Sequence, residues 1–385
     1  MKLDNWNYLW YNNRRLKILE EFTLEEKHWV YNFDYAHFLT PVNIDQDNLY
    51  LNDIRTKLDD FIDKMRCAGA PKTALECIYN FKNQILKSME LYYSGDLLSA
   101  QSIINTIIQE LNVPPAVTPI NKSFAFPYNT NEIQFFRART SDAIVDYNAN
   151  EMLHIPFSKR SHVKSYRFSI SGLPCLYLGN TSYACWIEMR KPADYRFNVS
   201  PVVLDNSQKV LNLIATASWI NTLVSNNYID LSDSDSVINM FKLMVLTYCT
   251  SYKVKEQDRN FKSEYVLPQM IMLACKRLDL DGVVYYSKQV SDERFATVTG
   301  INVALFATYE DGLDLSPICS HIKIDDSFNY STFKQLHSSL KYKEYPLCVD
   351  KYPQIKNIGN FKRQIPYRET YFYEFDKYLF ANWEK

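Results

Sequence analysis

The stretch Leu176-Tyr177-Leu178-Gly179-Asn180-Thr181-Ser182-Tyr183-Ala184-Cys185-Trp186-Ile187-Glu188-Met189-Arg190 changes texture at its centre. A short apolar run ends at Gly179. Asn180, Thr181 and Ser182 follow, and short polar side chains of this kind accept hydrogen bonds from the first amides of a helix. Tyr183 to Ile187 are apolar all round a helical wheel, and a helix with that pattern is buried on most faces. The stretch therefore predicts a buried strand, a capped turn and a short buried helix over residues 182–190. Glu188 falls in the second turn of that helix, where a carboxylate needs a partner. Arg190, Lys191 and solvent at the helix end are the plain partners; a working site is the alternative.

The alternation of strand and helix continues outward. Strand-like patterns cover 133–139, 175–178, 195–204, 282–286 and 302–307, and helical ones 182–190, 236–252 and 264–278. This mixture predicts an α+β fold for residues 131–325. Ser232 and Asp235 have capping-box spacing ahead of the second helix. Upstream, residues 52–67, 72–92 and 96–111 carry apolar stripes at three- and four-residue spacing, predicting a helical N-terminal domain over 1–112. Gly95 is placed to end the second of these helices and Asp96 to cap the third. Prolines 114, 115 and 119 forbid helix and favour an extended linker over 113–130. The aromatic-rich residues 326–385 form a C-terminal extension, whose final part, 367–383, is expected as a strand or helix packed on the core.

Composition excludes several function classes. The 385 residues carry 43 basic and 44 acidic side chains, a formal charge of −1, and that balance argues against a nucleic-acid-binding surface. The eight glycines are never closer than seven positions. Neither G-x-G-x-x-G nor a Walker-type loop fits that spacing, so any nucleotide must be held largely by side chains. Eight scattered cysteines contain no C-x-x-C and the six histidines no H-E-x-x-H, so no metal site is expected and the cysteines in apolar stretches read as reduced core residues. Lacking both a secretory signal and a membrane-length apolar run, the chain is expected to be cytoplasmic, with no membrane partner.

Other residues could carry chemistry. Arg137 and Arg139 share a parity on one strand, offering a two-guanidinium fork for a diphosphate or, more plainly, a solvated strand face. Arg160 and Arg167 lie in a polar stretch before the Gly172-Leu173-Pro174 turn. Leu280-Asp281-Gly282-Val283-Val284-Tyr285-Tyr286-Ser287 is a tight turn into a buried strand that ends in a hydroxyl, a ligand group or simply a strand terminus. In order, Arg137, then Arg167-Phe-Ser-Ile-Ser-Gly-Leu-Pro-Cys-Leu-Tyr177, then Glu188, then Asp281 to Ser287 resemble the RES domain family, over roughly residues 135–306. Glu264-Tyr-Val-Leu-Pro-Gln269 is similar to the helix preceding the family's Asp-Gly turn. Tyr166 departs from it, standing where many members have glycine.

The resemblance implies a fold similar to ADP-ribosyltransferases and degradation of NAD⁺ by phosphorolysis or hydrolysis, often as the toxin of a toxin–antitoxin pair. It implies Glu188, Arg137 and Tyr177 as catalytic residues, and Arg139, Arg167, Ser287 and Gln269 as NAD-binding ones. NAD⁺ would be a substrate, with inorganic phosphate as a co-substrate of phosphorolysis, and no cofactor held permanently. Nicotinamide leaves its cationic form as a neutral molecule and needs no general acid, so one carboxylate can suffice where most glycosidases use two. Two alternatives remain: transfer of ADP-ribose to a macromolecule, and a degenerate binding or sensor module. An antitoxin or trigger protein on the N-terminal helices, and a homo-oligomer, stay open as partners.

Overall fold

The computed structural model describes residues 28–38, 40–44, 50–114, 116–119, 132–205, 207–215, 220, 230–254, 256, 258–289, 300–339, 347, 357–360 and 363–383. Three helices lead: α1 (Tyr50–Cys67), α2 (Lys72–Tyr93) and α3 (Leu97–Glu110). They form where the stripes require, with Ile54, Leu58, Phe61, Ile62 and Met65 of α1 all buried. Gly95 takes a φ of +88°, the left-handed conformation that ends a helix and that glycine adopts without penalty. Asp96 then accepts from Ser99 N at 3.1 Å to start α3.

The following elements are β1 (Val117–Pro119), β2 (Glu132–Thr140), α4 (Ala149–Met152), β3 (Cys175–Gly179), α5 (Ser182–Glu188), β4 (Phe197–Asp205) and β5 (Lys209–Leu213). Then come α6 (Ser234–Cys249), α7 (Ser263–Arg277), β6 (Gly282–Tyr286), β7 (Ile301–Phe306), β8 (Ile322–Ile324), β9 (Phe328–Asn329) and α8 (Tyr330–Leu336). A hairpin of β10 (Asn357–Asn360) and β11 (Arg363–Pro366) precedes the last helix, α9 (Tyr371–Ala381). The fold class is α+β, as expected.

Among the described residues, one mixed sheet runs in the order β1-β5-β6-β7-β3-β2-β4-β8, with β9 also pairing with β4. The β5–β6 pair is parallel. Register places the site. Tyr285 lies opposite Asn302, Asn302 opposite Gly179, and Tyr177 opposite Ala304. Side chains alternate along a strand, so Tyr177, Asn302 and Tyr285 share one face.

Some expectations shift. Val117–Pro119, inside the expected linker, is an edge strand antiparallel to β5, where a proline's missing N–H breaks no ladder. The rest of that linker from 120 to 131 lies outside the described residues. The helix expected from 236 starts at Ser234, with Asp233 rather than Ser232 as its cap. The helix carrying Glu188 stops there because Arg190 and Lys191 take φ values of +63° and +56°. The C-terminal segment resolves as a helix. Cys185, Cys249 and Cys275 are buried free thiols, whereas Cys67 and Cys77 are exposed; Cys348 lies outside the described residues.

The N-terminal helices share the core with the rest of the chain. Tyr50 donates to Cys249 O at 3.2 Å, Gln101 Nε2 to Met270 O at 2.9 Å and Tyr252 to Asp53 at 2.7 Å. The rings of Trp29 and Phe33 meet Phe241 of α6 at 4.6 and 5.0 Å. One apolar cluster runs through both segments.

Candidate active site

Glu188 reaches its position by a short route. β3 ends at Gly179, where an added Cβ would stand 2.8 Å from Cys185 Sγ and 3.2 Å from Cys185 N. Only glycine lets the helix return this closely on the strand. Thr181 caps α5 by accepting from Ala184 N at 2.9 Å, and Ser182, Ala184, Cys185 and Ile187 are buried. Glu188, the last residue, is reached by solvent yet its carboxylate is engaged by protein. Asn302 Nδ2 donates to its Oε1 at 2.7 Å, and Ser287 stands near enough to the same carboxylate to act on its pKa. Lys191, one of its nearest cations in sequence, lies back over α5, its Nζ 5.7 Å from the centre of the Trp186 ring. Crowding by protein raises the carboxyl pKa, while Ser287, Arg167, Asn302 and Lys288 oppose the rise. An accessible carboxylate with a donor on it and cations nearby is a candidate functional site.

Two cations stand behind it. Arg167 is 7% exposed, its guanidinium 4.9 and 4.8 Å from the Phe168 and Tyr285 rings. Nη1 donates to Tyr286 O at 3.1 Å; Nε and Nη2 have no hydrogen-bond partner among the described residues. Burial lowers its pKa to about 10, which leaves it charged at neutral pH. Lys288 is 8% exposed and its Nζ is also without a partner among the described residues. Burial drives its pKa well down, the Arg167 charge adds to this, and Glu264 and Glu188 counter it. Glu264 is itself paired, accepting two bonds from Arg259 Nη2 at 2.9 and 2.8 Å.

Tyr177 and Gln269 hold the loop that presents Arg167. Tyr166 and Ser169 form a two-residue bridge, with Arg167 and Phe168 between them. Gln269 Nε2 donates to Ser165 Oγ, Tyr166 O and Ser169 O at 2.7, 2.9 and 3.2 Å. The Tyr177 hydroxyl donates to Ser169 Oγ at 3.1 Å, and its ring meets Tyr166 at 6.0 Å. Tyr166 is not among the positive-φ residues, so this backbone does not need a glycine there. Pro268 lies inside α7, directly before Gln269.

Arg137 and Arg139 both reach one segment, as a shared parity requires. Arg137 donates from Nε to Met152 O and from Nη1 to Tyr177 O, each at 3.1 Å. Arg139 Nη2 donates to Leu153 O at 2.9 Å. Backbone carbonyls thus occupy donors that a diphosphate fork would use, and Arg137 and Arg139 are held on the chain at Met152, Leu153 and Tyr177 rather than on Glu188. Asn302 and Lys288 were not singled out from sequence. The available signals were a lone amide in the apolar strand Ile301–Phe306 and a lysine two residues after the buried strand Gly282–Tyr286.

The cluster can receive a ligand that is cationic at one point and anionic at another: a carboxylate for the first, two cations with free donors for the second. Ser287 is 2% exposed, and Asn302 Oδ1 has no partner among the described residues, so the Asn302 amide retains an acceptor. Among the described residues no group of His, Cys, Asp or Glu is arranged to hold a metal ion, and no helix is long and apolar enough to cross a membrane.

No family model matches the chain. Over 276 residues it is 27% identical to the Bacillus subtilis (strain 168) protein named "Putative toxin YopC", an alignment covering 67% of this chain and 60% of that protein. The match thus spans about three-fifths of the relative's length. A chain of the M. tuberculosis MbcT-MbcA toxin-antitoxin complex aligns over 60% of this chain and 97% of its own, with 10% identity and a TM-score of 0.30. The chain is therefore similar in sequence to a protein named as a toxin, and the low structural score adds no argument.

Proposed function

We propose that this chain is a toxin that destroys NAD⁺ by cleaving the bond between ribose and nicotinamide. The observation that carries the reading is the meeting of Glu188 with Ser287, Asn302, Arg167 and Lys288. NAD⁺ has the complementary charges, a ribosyl pyridinium cation and an anionic diphosphate. The sequence similarity to a protein named as a toxin points the same way.

The C1″–N bond breaks with its electron pair passing to nicotinamide, which departs neutral. The positive charge moves to the ribose, and the Glu188 carboxylate stabilises it where it develops. Asn302 holds that carboxylate in place, with Ser287 beside it. Arg167 and Lys288 balance the diphosphate, and Tyr177 and Gln269 fix the loop carrying Arg167. Water attacking C1″ gives ADP-ribose and releases one proton; phosphate attacking instead gives the 1″-phosphate.

Following nicotinamide release from NAD⁺, with and without inorganic phosphate, tests the reading and names the acceptor. Glu188→Gln keeps the shape and removes the charge, so kcat should fall on the order of 10²-fold or more while NAD⁺ binding changes little. Equal release by wild type and Glu188→Gln ends the assignment. Label from adenine-labelled NAD⁺ retained on a macromolecule identifies transfer rather than cofactor destruction.

A further inference from the structure

Helix α9 carries a carboxylate into the interior, far from the cluster around Glu188 in sequence but adjoining the helix that bears it. Asp376 is fully buried. Its Oδ1 accepts from Ser182 N at 3.2 Å, and its Oδ2 accepts from the Tyr367 hydroxyl. Ser182 is the first residue of α5 and Glu188 the last. At seven residues, α5 is too short to be stable alone, and its first amides need acceptors from outside the helix. Thr181 supplies one and an Asp376 carboxyl oxygen a second.

The same C-terminal segment grips α5 from the side. Phe372 meets Tyr183 and Trp186, each at 5.3 Å between ring centres, and Phe380 meets Phe136 of β2 at 5.3 Å. Packing alone does not call for a buried carboxylate, since an apolar side chain would fill the space without the desolvation cost. What the carboxylate adds is direction: one oxygen for one amide of α5, the other for one hydroxyl of its own segment.

We propose that Asp376 is a positioning residue for Glu188, and that the Tyr367–Asp376–Ser182 link makes the C-terminal segment part of the working site. The proposal rests on the reading of Glu188 as the carboxylate facing the ribosyl cation. Asp376→Leu removes both acceptors. Asp376→Asn keeps an oxygen for Ser182 N and offers an N–H to the Tyr367 oxygen.

In the full-length chain, well below its unfolding temperature, Asp376→Leu should lower kcat for nicotinamide release about tenfold or more, as misplacement of a reacting group does, with KM nearly unchanged. Asp376→Asn should restore most of that loss. Tyr367→Phe should shift kcat the same way by a smaller factor, and it carries the test if the leucine variant does not fold. Hydrogen exchange over residues 182–188 reads the link without substrate: it should quicken in Asp376→Leu and Tyr367→Phe and return in Asp376→Asn. Unchanged exchange there, or asparagine as damaging as leucine, overturns the proposal. An inactive wild type with the expected exchange pattern would instead count against NAD⁺ cleavage and leave the link standing.

Discussion

Lys288 and Arg167 are buried more deeply than the carboxylate they flank. Lys288 Nζ has the Tyr265 ring at 5.7 Å but no hydrogen-bond acceptor among the described residues; burying an ammonium in this way costs several kcal/mol, and replacing it by an apolar side chain of similar length is often stabilising. Nothing in the packing of β6 demands a lysine directly after Ser287; a ligand's anionic group gives it a partner. Lys288→Met is therefore expected to raise the thermal midpoint of the unliganded protein slightly. The same variant should raise KM for NAD⁺ roughly tenfold, the worth of one charge-assisted hydrogen bond. Calorimetry beside steady-state kinetics checks both; a lower midpoint with KM unchanged would make Lys288 purely structural. Neither Lys288 nor Asn302 could be picked from the sequence. Glu188, which Asn302 bonds and whose charge acts on Lys288, lies 114 and 100 residues from them, and nothing local in either stretch encodes that proximity.

At the level of strands and helices, two close approaches set the site. Gly179 lets α5 turn back on β3, and Gly282 lets β6 pair against β7. A Cβ at Gly282 would sit 2.4 Å from Ala304 O and 3.1 Å from Leu305 Cδ2. The first contact is with backbone, so β6 itself would have to shift, and with it Tyr285 and Ser287. Gly282→Ala should cost about 1–3 kcal/mol, the usual range for overpacking, measured by urea unfolding. An alanine variant as stable as wild type would show that β6 has slack. The strand–turn–helix around Gly179 was legible because apolar runs, capping side chains and a scarce glycine all act within a few residues. The end of α5 was less legible, since the left-handed turn at Arg190 and Lys191 has no glycine or asparagine to mark it.

For the whole molecule, pH dependence should carry the mark of Asp376. Its pKa is raised from 3.8 to about 7 by burial, against the opposing bonds from Ser182 and Tyr367. The folded state therefore keeps a proton that the unfolded chain releases from about pH 4 upward. The contribution is fully present below that pH and lost as pH rises toward 7, on the order of 4 kcal/mol over the window. Tyr367, Tyr330 and the Cys185 thiol face this carboxylate, and all three remain protonated there. Denaturant midpoints across the window should fall with pH in wild type and fall less in Asp376→Asn. Parallel slopes would mean that the carboxyl titrates normally. The shared core of α1 to α3 with α6 and α7 acts on the same scale, tying the N-terminal helices to α6, α7 and Tyr252 through the contacts of Tyr50, Gln101 and Asp53.

Local chemistry was enough to determine the α+β class, nearly every long helix and strand, and Glu188 and Ser287 as residues to watch, because periodicity, caps and turns act over a few positions along the chain. Only the tertiary structure decided that Arg137 and Arg139 bind backbone carbonyls, that Gln269 and Tyr177 fasten the Arg167 loop, and that Lys288 and Asn302 join Glu188. It alone decided, too, that Asp376 caps α5. Those outcomes depend on sheet register and on contacts between residues 8 to 194 positions apart, and burial sets the strength of each. A side chain's neighbours in sequence carry none of that information.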